Sequence, residues 1–178
     1  MNDALIIDIS NILIKNPGSR DFYEFCTPAN FEEINLKGDL SGEVEIINSR
    51  DGLEVGVDNV DLKVELVCEK CLKEFLVDIH IKHFECTFFF KKPKNHDDPF
   101  DLYFVDMKKR KIDLNEVLRQ EIILHFPSVP VCFKGCKGLC SACGNNKNET
   151  DCKCKTEENP KENKPFANLQ QLINKTHG

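Results

Sequence analysis

Apolar and polar residues alternate strictly along two neighbouring segments, residues 60–68 and residues 75–81. A period of two places successive side chains on opposite faces of a β-strand, so both segments are predicted strands. The chain between them contains Cys-Glu-Lys-Cys and is short enough to form a turn. The pattern therefore predicts a hairpin over about residues 60–90, with Cys68 and Cys71 at its tip.

Two further features extend the β pattern. The apolar positions change parity after Ile81, which predicts a β-bulge near His83. In the first third of the chain, short apolar runs and the turn sequence Ser-Arg-Asp-Gly predict more strands, two of them over residues 42–47 and 53–57. Residues 100–107 can supply another strand. The body of the chain is therefore predicted to be β-rich.

After a basic turn, the apolar period lengthens to that of a helix. Asp113 and Glu116 have the spacing of a capping box, with Asp in place of the usual Ser or Thr. Pro127 and Pro130 cannot continue a helix and mark its end. We therefore predict one main helix over residues 113–126. Its apolar face comprises Leu114, Val117, Leu118 and Ile122.

These elements predict an α+β fold in three parts. A β-rich domain of residues 1–130 contains the long hairpin and the main helix, and a cysteine-rich zinc-knuckle segment of residues 131–155 follows. Residues 156–178 are predicted to form a polar linker and a short C-terminal helix. A chain of 178 residues is long enough to bury a core of its own.

Composition and charge narrow the functional class. Hydrophobic residues at 40% and charged residues at 30% are typical of a soluble globular protein. No run approaches the roughly 20 apolar residues that cross a bilayer, and the start lacks the basic region of a secretory signal, so we expect a cytoplasmic protein without a membrane partner. The net charge of −6 argues against a general nucleic-acid coat, although it permits a local basic patch.

Six of the ten cysteines fall within residues 132–154, at the spacing of metal ligands. Cys140-x-x-Cys143-Gly has the form of a zinc knuckle, in which two thiolates meet one ion and the Gly lets the turn close. Cys152-x-Cys154 supplies the other half of a four-sulfur site. The polar segment between them could not fold by burial alone, whereas a metal would close it. Zn²⁺ is the predicted ion, and disulfides, free thiols or an iron–sulfur cluster are the alternatives.

Cys68 and Cys71 form a further pair of potential ligands, and Cys132 and Cys136 would complete a second zinc site with them. In the competing arrangement, Cys136 belongs to the first site, and the pair at the hairpin tip consists of free thiols. A thioredoxin-like role is disfavoured because redox Cys-x-x-Cys motifs lie where a strand enters a helix.

The sequence shows no catalytic pattern. A nucleophilic triad, a phosphate-binding Walker A loop, a His-Glu-x-x-His motif and a dinucleotide fingerprint are all absent. His125, near the end of the predicted helix, fits a contact with the helix dipole better than a catalytic role. Cys26 and Cys86 lie among apolar residues and are predicted to be in the core. We therefore expect a protein that is not an enzyme and has no small-molecule substrate.

Four segments, taken together, carry a family resemblance. They are Cys-x-x-Cys-Leu at residues 68–72, the apolar run with Pro-x-x-Pro at residues 113–130, the cysteine-rich ending from Cys136 onwards, and Pro-Phe-Ala-x-Leu at residues 165–169. In this combination the chain resembles the YceD-like family, the large ribosomal RNA subunit accumulation proteins. The resemblance covers roughly residues 60–173.

The resemblance implies a non-enzymatic role in the accumulation of large-subunit (23S) ribosomal RNA, and hence in ribosome biogenesis. The implied partners are the precursor of that RNA or ribosomal proteins. Exposed basic residues are candidates for RNA contact, although a solvated surface is the ordinary fate of a lysine. These candidates are Lys91, Lys92, Lys94, Lys108, Lys109, Arg110, Lys111, Lys134 and Lys137.

Two alternative functions remain at this stage. Residues 1–60 contain 12 acidic and 4 basic side chains, which suits a zinc-stabilised scaffold that docks basic ribosomal proteins. A redox protein that uses Cys68 and Cys71 is the other alternative, and it would require thiols that exchange disulfides.

Overall fold

The computed structural model describes residues 5–93 and 102–154. In this part of the chain, strands dominate and helices are few. In chain order the elements are β1 (Ile6–Asp8), α1 (Ser10–Leu13), β2 (Arg20–Pro28), β3 (Asp39–Asn48), β4 (Gly52–Val67), β5 (Glu74–Phe89), β6 (Tyr103–Phe104), β7 (Lys111–Asp113) and α2 (Asn115–Leu124).

Among the described residues, five strands form the main sheet, in the order β2-β3-β4-β5-β6. Strands β2 to β5 are a meander of antiparallel neighbours, and β6 lies parallel to the end of β5. Strands β1 and β7 form a separate antiparallel pair. This arrangement agrees with the predicted β-rich body.

The predicted hairpin is confirmed, and it is longer than the sequence pattern indicated. Strands β4 and β5 pair continuously from Gly52 opposite Phe89 to Val67 opposite Glu74. The predicted strand over residues 53–57 is the first part of β4 rather than a separate element. The two ends of this hairpin are therefore far apart, at about 50 Å for 16 extended residues.

The predicted bulge near His83 is wrong. His83 pairs directly with Asp58, and the register of β4 against β5 does not change along the hairpin. The irregularity lies instead between β3 and β4, where Asn59 and Val60 together oppose Gly42. Asn59 has a φ of 51°, a left-handed conformation that Asn tolerates better than most residues. Both strands of the hairpin change parity here, which explains the shift in the apolar pattern.

The core lies between the inner face of the sheet and the elements α1, β1, β7 and α2. Helix α2 buries the face predicted for it, with Leu114, Leu118 and Ile122 fully enclosed. The helix is shorter than the predicted range of 113–126, and the capping box does not form. The carboxylate of Asp113 accepts the backbone N–H of Asn115, but Glu116 pairs with Arg119 instead of reaching back to the cap.

Other predictions have mixed outcomes. Cys26 is exposed on β2, so its assignment to the core is wrong, whereas Cys86 is half-buried against the core. Burial raises the pKa of Cys86 to about 12, which keeps it an inert thiol near neutral pH. The strand expected in residues 100–107 is limited to Tyr103–Phe104. The linker and helix predicted for residues 156–178 lie outside the described residues.

Candidate metal centres

Four cysteines from two distant segments meet at the tip of the β4–β5 hairpin, and we call them the hairpin cluster. Their sulfur atoms lie within 4.8 Å of one another. Cys68 Sγ is 3.9 Å from Cys136 Sγ, and Cys71 Sγ is 3.6 Å from Cys132 Sγ. Thiolates bound at about 2.3 Å to one tetrahedral zinc ion are separated by about 3.8 Å. The cluster therefore has the spacing that a single ion requires.

The turn between β4 and β5 directs its two cysteines to one point. The backbone N–H of Leu72 donates to the carbonyl of Cys68, and the N–H of Cys68 donates to the carbonyl of Lys73, each at 2.9 Å. Leu72 is exposed and has a φ of 58°, a conformation that costs a leucine roughly 1–2 kcal/mol. Such strain persists where the surroundings hold it, and ligands converging on a metal would do so.

Backbone contacts dock the cysteine-rich segment onto this turn. The N–H of Glu69 donates to the carbonyl of Pro130 at 2.9 Å, and the N–H of Leu139 donates to the carbonyl of Lys70 at 3.0 Å. At Gly138, whose φ is 71°, a Cβ atom would lie 2.9 Å from the Lys70 carbonyl oxygen. Glycine at this position therefore permits both the left-handed turn and the close approach.

The second group, which we call the terminal cluster, contains Cys140, Cys143, Cys152 and Cys154. Their sulfur atoms also lie within 4.8 Å of one another. The N–H of Gly144, with a φ of 73°, closes the knuckle turn by donating to the Cys140 carbonyl at 2.8 Å. Cys140 is buried, whereas Cys143 and Cys154 are exposed. The terminal cluster is therefore the more accessible of the two.

At least one thiol in each cluster has a lowered pKa, which favours its ionised form. Burial disfavours the thiolate of Cys68, but backbone N–H groups, including that of Cys132, lower its pKa to about 6. Backbone N–H groups of Cys143 and Ala142 lower the pKa of Cys140 to about 6. The thiolate is the form that binds metal, so each cluster has a ligand that is ready near neutral pH.

Other thiols in the clusters show the opposite shift. Burial and the neighbouring Cys68 raise the pKa of Cys132 to about 12. The side chain of Cys143 and burial raise the pKa of Cys154 to about 12. Thiolates at these separations repel one another, and a divalent cation among them would remove that repulsion. Metal binding should therefore release protons from these thiols.

Asn148 connects the two clusters. It lies in the loop between the two halves of the terminal cluster, and its side-chain N–H donates to the sulfur of Cys136 at 3.3 Å. Its side-chain oxygen accepts the backbone N–H of Lys137 at 2.8 Å. The side-chain oxygen of Asn146 orients Asn148 by accepting both the side-chain and the backbone N–H of that residue. A loop closed by one cluster thus positions a ligand of the other.

The donor chemistry of both clusters fits a structural metal ion. Each offers four sulfur ligands and no carboxylate or imidazole, the closed set typical of structural zinc. All ten cysteines lie in the described part of the chain and none is disulfide-bonded. Few apolar side chains support the hairpin cluster, namely Phe75, Val131 and Leu139, each only partly buried. Sulfur–metal bonds would therefore be the main interactions holding residues 131–154 in place.

Comparison with known proteins decides the family. Residues 59–173, about two thirds of the chain, match the family model described as Large ribosomal RNA subunit accumulation protein YceD. The chain belongs to the YceD family. All eight clustered cysteines fall within the matched range.

One curated relative of this YceD-family chain is the Large ribosomal RNA subunit accumulation protein YCED homolog 1, chloroplastic, of Arabidopsis thaliana. It is 32% identical over 69 residues, which are 39% of this chain and 22% of the relative. The match therefore spans only about a fifth of the relative's length. No solved structure matches the chain.

The name of the relative assigns that protein to chloroplasts, so a cytoplasmic location for this YceD-family chain stays a prediction. Among residues 5–93 and 102–154, no helix is long and apolar enough to cross a membrane.

The structure separates the basic residues that the sequence proposed for RNA contact. Lys134 and Lys137 are exposed beside the hairpin cluster. The exposed Lys91 and Lys92, together with residues 108–111, lie at the opposite end of the hairpin. Lys94 lies outside the described residues. The two groups are about 50 Å apart along β4 and β5, so they cannot form one continuous patch.

Sequence reasoning missed two features of this YceD-family chain. The contact of Asn148 with Cys136 depends on tertiary structure, and its one sequence signal was the Asn-rich stretch between the cysteine pairs. The pairing of the β5 histidines with aspartates was not predicted either. His80 and His83 each hydrogen-bond an aspartate directly opposite on β4, Asp61 and Asp58. Their position opposite an acidic strand could have been found by pairing the two strands of the predicted hairpin.

Proposed function

We propose that this chain is a non-enzymatic factor of ribosome biogenesis, which supports the accumulation of large-subunit (23S) ribosomal RNA by binding its precursor. Membership of the YceD family carries the proposal, because the family is named for that accumulation. The curated relative carries the same words in its name. An all-sulfur, four-ligand donor set leaves no open coordination position for a substrate, which supports a structural and not a catalytic use of metal.

We further propose that the bound metal is zinc, one ion in each cluster. Zinc would supply no chemistry beyond the cross-links between sulfur atoms. Through the hairpin cluster, the chain's own residues would then fix the cysteine-rich segment to the far end of the hairpin. Through the terminal cluster they would close the polar loop that carries Asn148.

A second candidate function rests on the outer face of the sheet. Glu24, Glu43, Asp58 and His83 lie directly opposite one another across four strands. Hydrogen bonds to Asp58 and Glu85 raise the pKa of His83, as expected in a negative environment. Such a surface suits a scaffold that docks basic ribosomal proteins.

The redox alternative is weaker. Cys68 and Cys71 each approach a cysteine of the docked segment, so four thiols converge where a dithiol exchange site needs two.

Removal of this protein from its cells tests the proposal. We expect the ratio of large-subunit to small-subunit ribosomal RNA to fall, because the proposed role concerns only the large subunit. The wild-type chain should restore the ratio, and the purified protein should sediment with precursor particles of the large subunit. Sedimentation that survives ribonuclease treatment but requires ribosomal proteins would favour the scaffold. An unchanged ratio would contradict both functions.

Asn148→Ala should weaken the hairpin cluster's hold on metal. Residues that orient a metal ligand typically change affinity by about 10- to 100-fold when removed. Zinc should transfer to a coloured chelator in two phases, a faster one from the accessible terminal cluster and a slower one from the buried hairpin cluster. We expect Asn148→Ala to accelerate the slower phase. Asn145→Ala is the matched control, because Asn145 is exposed in the same loop and contributes its backbone carbonyl, which accepts the N–H of Cys140. Equal release from the two variants would show that Asn148 does not position Cys136.

A further inference from the structure

Of the described segments that lie at the end of the sheet opposite the cysteine clusters, three carry basic turns or strand ends, and we call these three together the basic end. It comprises the β3–β4 turn at residues 50–51, residues 91–92 after β5, and the turn at residues 106–111 between β6 and β7. The N–H of Phe90 donates to the carbonyl of Asp51 at 3.0 Å, which joins the first two segments. Strand β6 runs parallel to β5, so the third segment leaves the sheet at this same end.

The basic end has a clear excess of positive charge. Its exposed basic side chains are Arg50, Lys91, Lys92, Lys108, Lys109, Arg110 and Lys111. Among the same residues the acidic ones are Asp51 and Asp106. Asp106 is engaged locally, since its carboxylate accepts the N–H groups of Lys108 and Lys109. Asp8 is a further acid at this end, paired with Lys111 across β1 and β7.

Aromatic rings lie beside these charges. A cavity of about 670 Å³ is lined by both charged and aromatic residues: Arg50, Asp51, Phe89, Phe90, Lys91, Lys92 and Pro93. Phe104 lies opposite Phe89 in the sheet, on the edge strand, and its side chain is 47% exposed. Aromatic faces next to lysines and arginines are the combination that binds single-stranded nucleic acid, because bases stack on the rings while cations neutralise phosphates.

The opposite end of the molecule is less suited to RNA. Four thiolates around one divalent ion carry a charge of about −2, so two occupied clusters would offset the positive charge of Lys134 and Lys137. The outer face of the sheet between the two ends is acidic, as shown by Glu43 and Asp58. A phosphate backbone would be repelled from that face.

From this distribution we infer that the basic end binds a single-stranded segment of large-subunit ribosomal RNA, with bases against Phe104 and phosphates against Lys91 and Lys92. The inference rests on the proposed function and deepens it by assigning the RNA to one of the two basic groups. The cysteine clusters then act at a distance from the RNA and not as part of the contact.

Binding of an unstructured RNA oligonucleotide from the large-subunit sequence, followed by fluorescence anisotropy across a salt series, tests this assignment. Each lost phosphate contact on a single strand should reduce the slope of log affinity against log salt by about 0.7. We expect Lys91→Gln/Lys92→Gln to reduce the slope by about 1.4. Lys134→Gln/Lys137→Gln, the matched control at the other end, should leave it unchanged.

Phe104→Ala should weaken binding about five-fold or more without changing the salt slope, because stacking is not electrostatic. A duplex of the same sequence should bind less tightly than the single strand, since its bases cannot stack on the rings.

If the slope of log affinity against log salt falls in Lys134→Gln/Lys137→Gln and not in Lys91→Gln/Lys92→Gln, the inference is wrong, although RNA binding itself would stand. A folded wild-type chain that binds no RNA but does bind ribosomal proteins would overturn the inference and the RNA form of the proposed function together.

Discussion

Serine in place of both Cys68 and Cys71 should release residues 131–154 from the hairpin tip. Apart from the sulfur atoms, the contacts between the two parts include the backbone hydrogen bonds made by Glu69 and Leu139 and an exposed ion pair of Lys73 with Glu149. An exposed ion pair contributes at most about 1 kcal/mol. Structural zinc sites contribute apparent binding free energies on the order of 10 kcal/mol. Loss of two ligands should therefore remove most of the interaction.

Limited proteolysis and hydrogen exchange measure this release. We expect faster cleavage and exchange in residues 131–139 of the double variant, because the terminal cluster would still close the loop that follows Cys140. The amides of β3 and of the first half of β4 should stay protected, since they lie far from the tip. Cys26→Ser is the control, because Cys26 is exposed and lies outside both clusters. If the double variant is as protected as this control, the hairpin cluster does not hold the segment.

Gly52→Ala should be strongly destabilising. A Cβ at Gly52 would lie 2.4 Å from the carbonyl oxygen of Phe88, and backbone atoms cannot yield as a flexible side chain can. Overpacking of this kind costs about 1–3 kcal/mol and sometimes more. Gly52 also begins β4 opposite Phe89, so a backbone shift there would disturb the basic end.

Gly56→Ala is the matched control in the same strand, because the nearest atom to its added Cβ would be His83 Cε1 at 3.6 Å. Alanine there should be neutral or slightly stabilising, since it reduces the entropy of the unfolded chain. Denaturant unfolding of the two variants measures the difference. Equal unfolding free energies would show that the close approach at Gly52 is not a real constraint.

The parts of the fold that the sequence predicted are those with strong local periodicity. The β4–β5 hairpin and the buried face of α2 both follow from repeating apolar positions. Strand β2 was not predicted because its outward positions include Phe22, which is 73% exposed and blurs the alternation. The bulge was assigned to the wrong strand because β5 keeps its register with β4 and therefore changes parity wherever β4 does, at Asn59.

The grouping of the eight cysteines was open to sequence reasoning because spacing limits which thiols can share an ion. The structure brings together the two groups of four that the sequence proposed. The role of Asn148 could not be predicted from the sequence, since its contact with Cys136 forms only when the loop of the terminal cluster folds back. The division of the basic residues was equally hidden, because it depends on the length and direction of the hairpin and not on local composition.

Native mass spectrometry of the purified chain, with parallel elemental analysis, measures directly whether each cluster holds one zinc ion. We expect two zinc ions per wild-type chain, one after Cys68→Ser/Cys71→Ser, and one after Cys152→Ser/Cys154→Ser. A wild-type chain that is folded and reduced yet carries no metal, or whose metal content is unaffected by both double variants, would contradict this expectation.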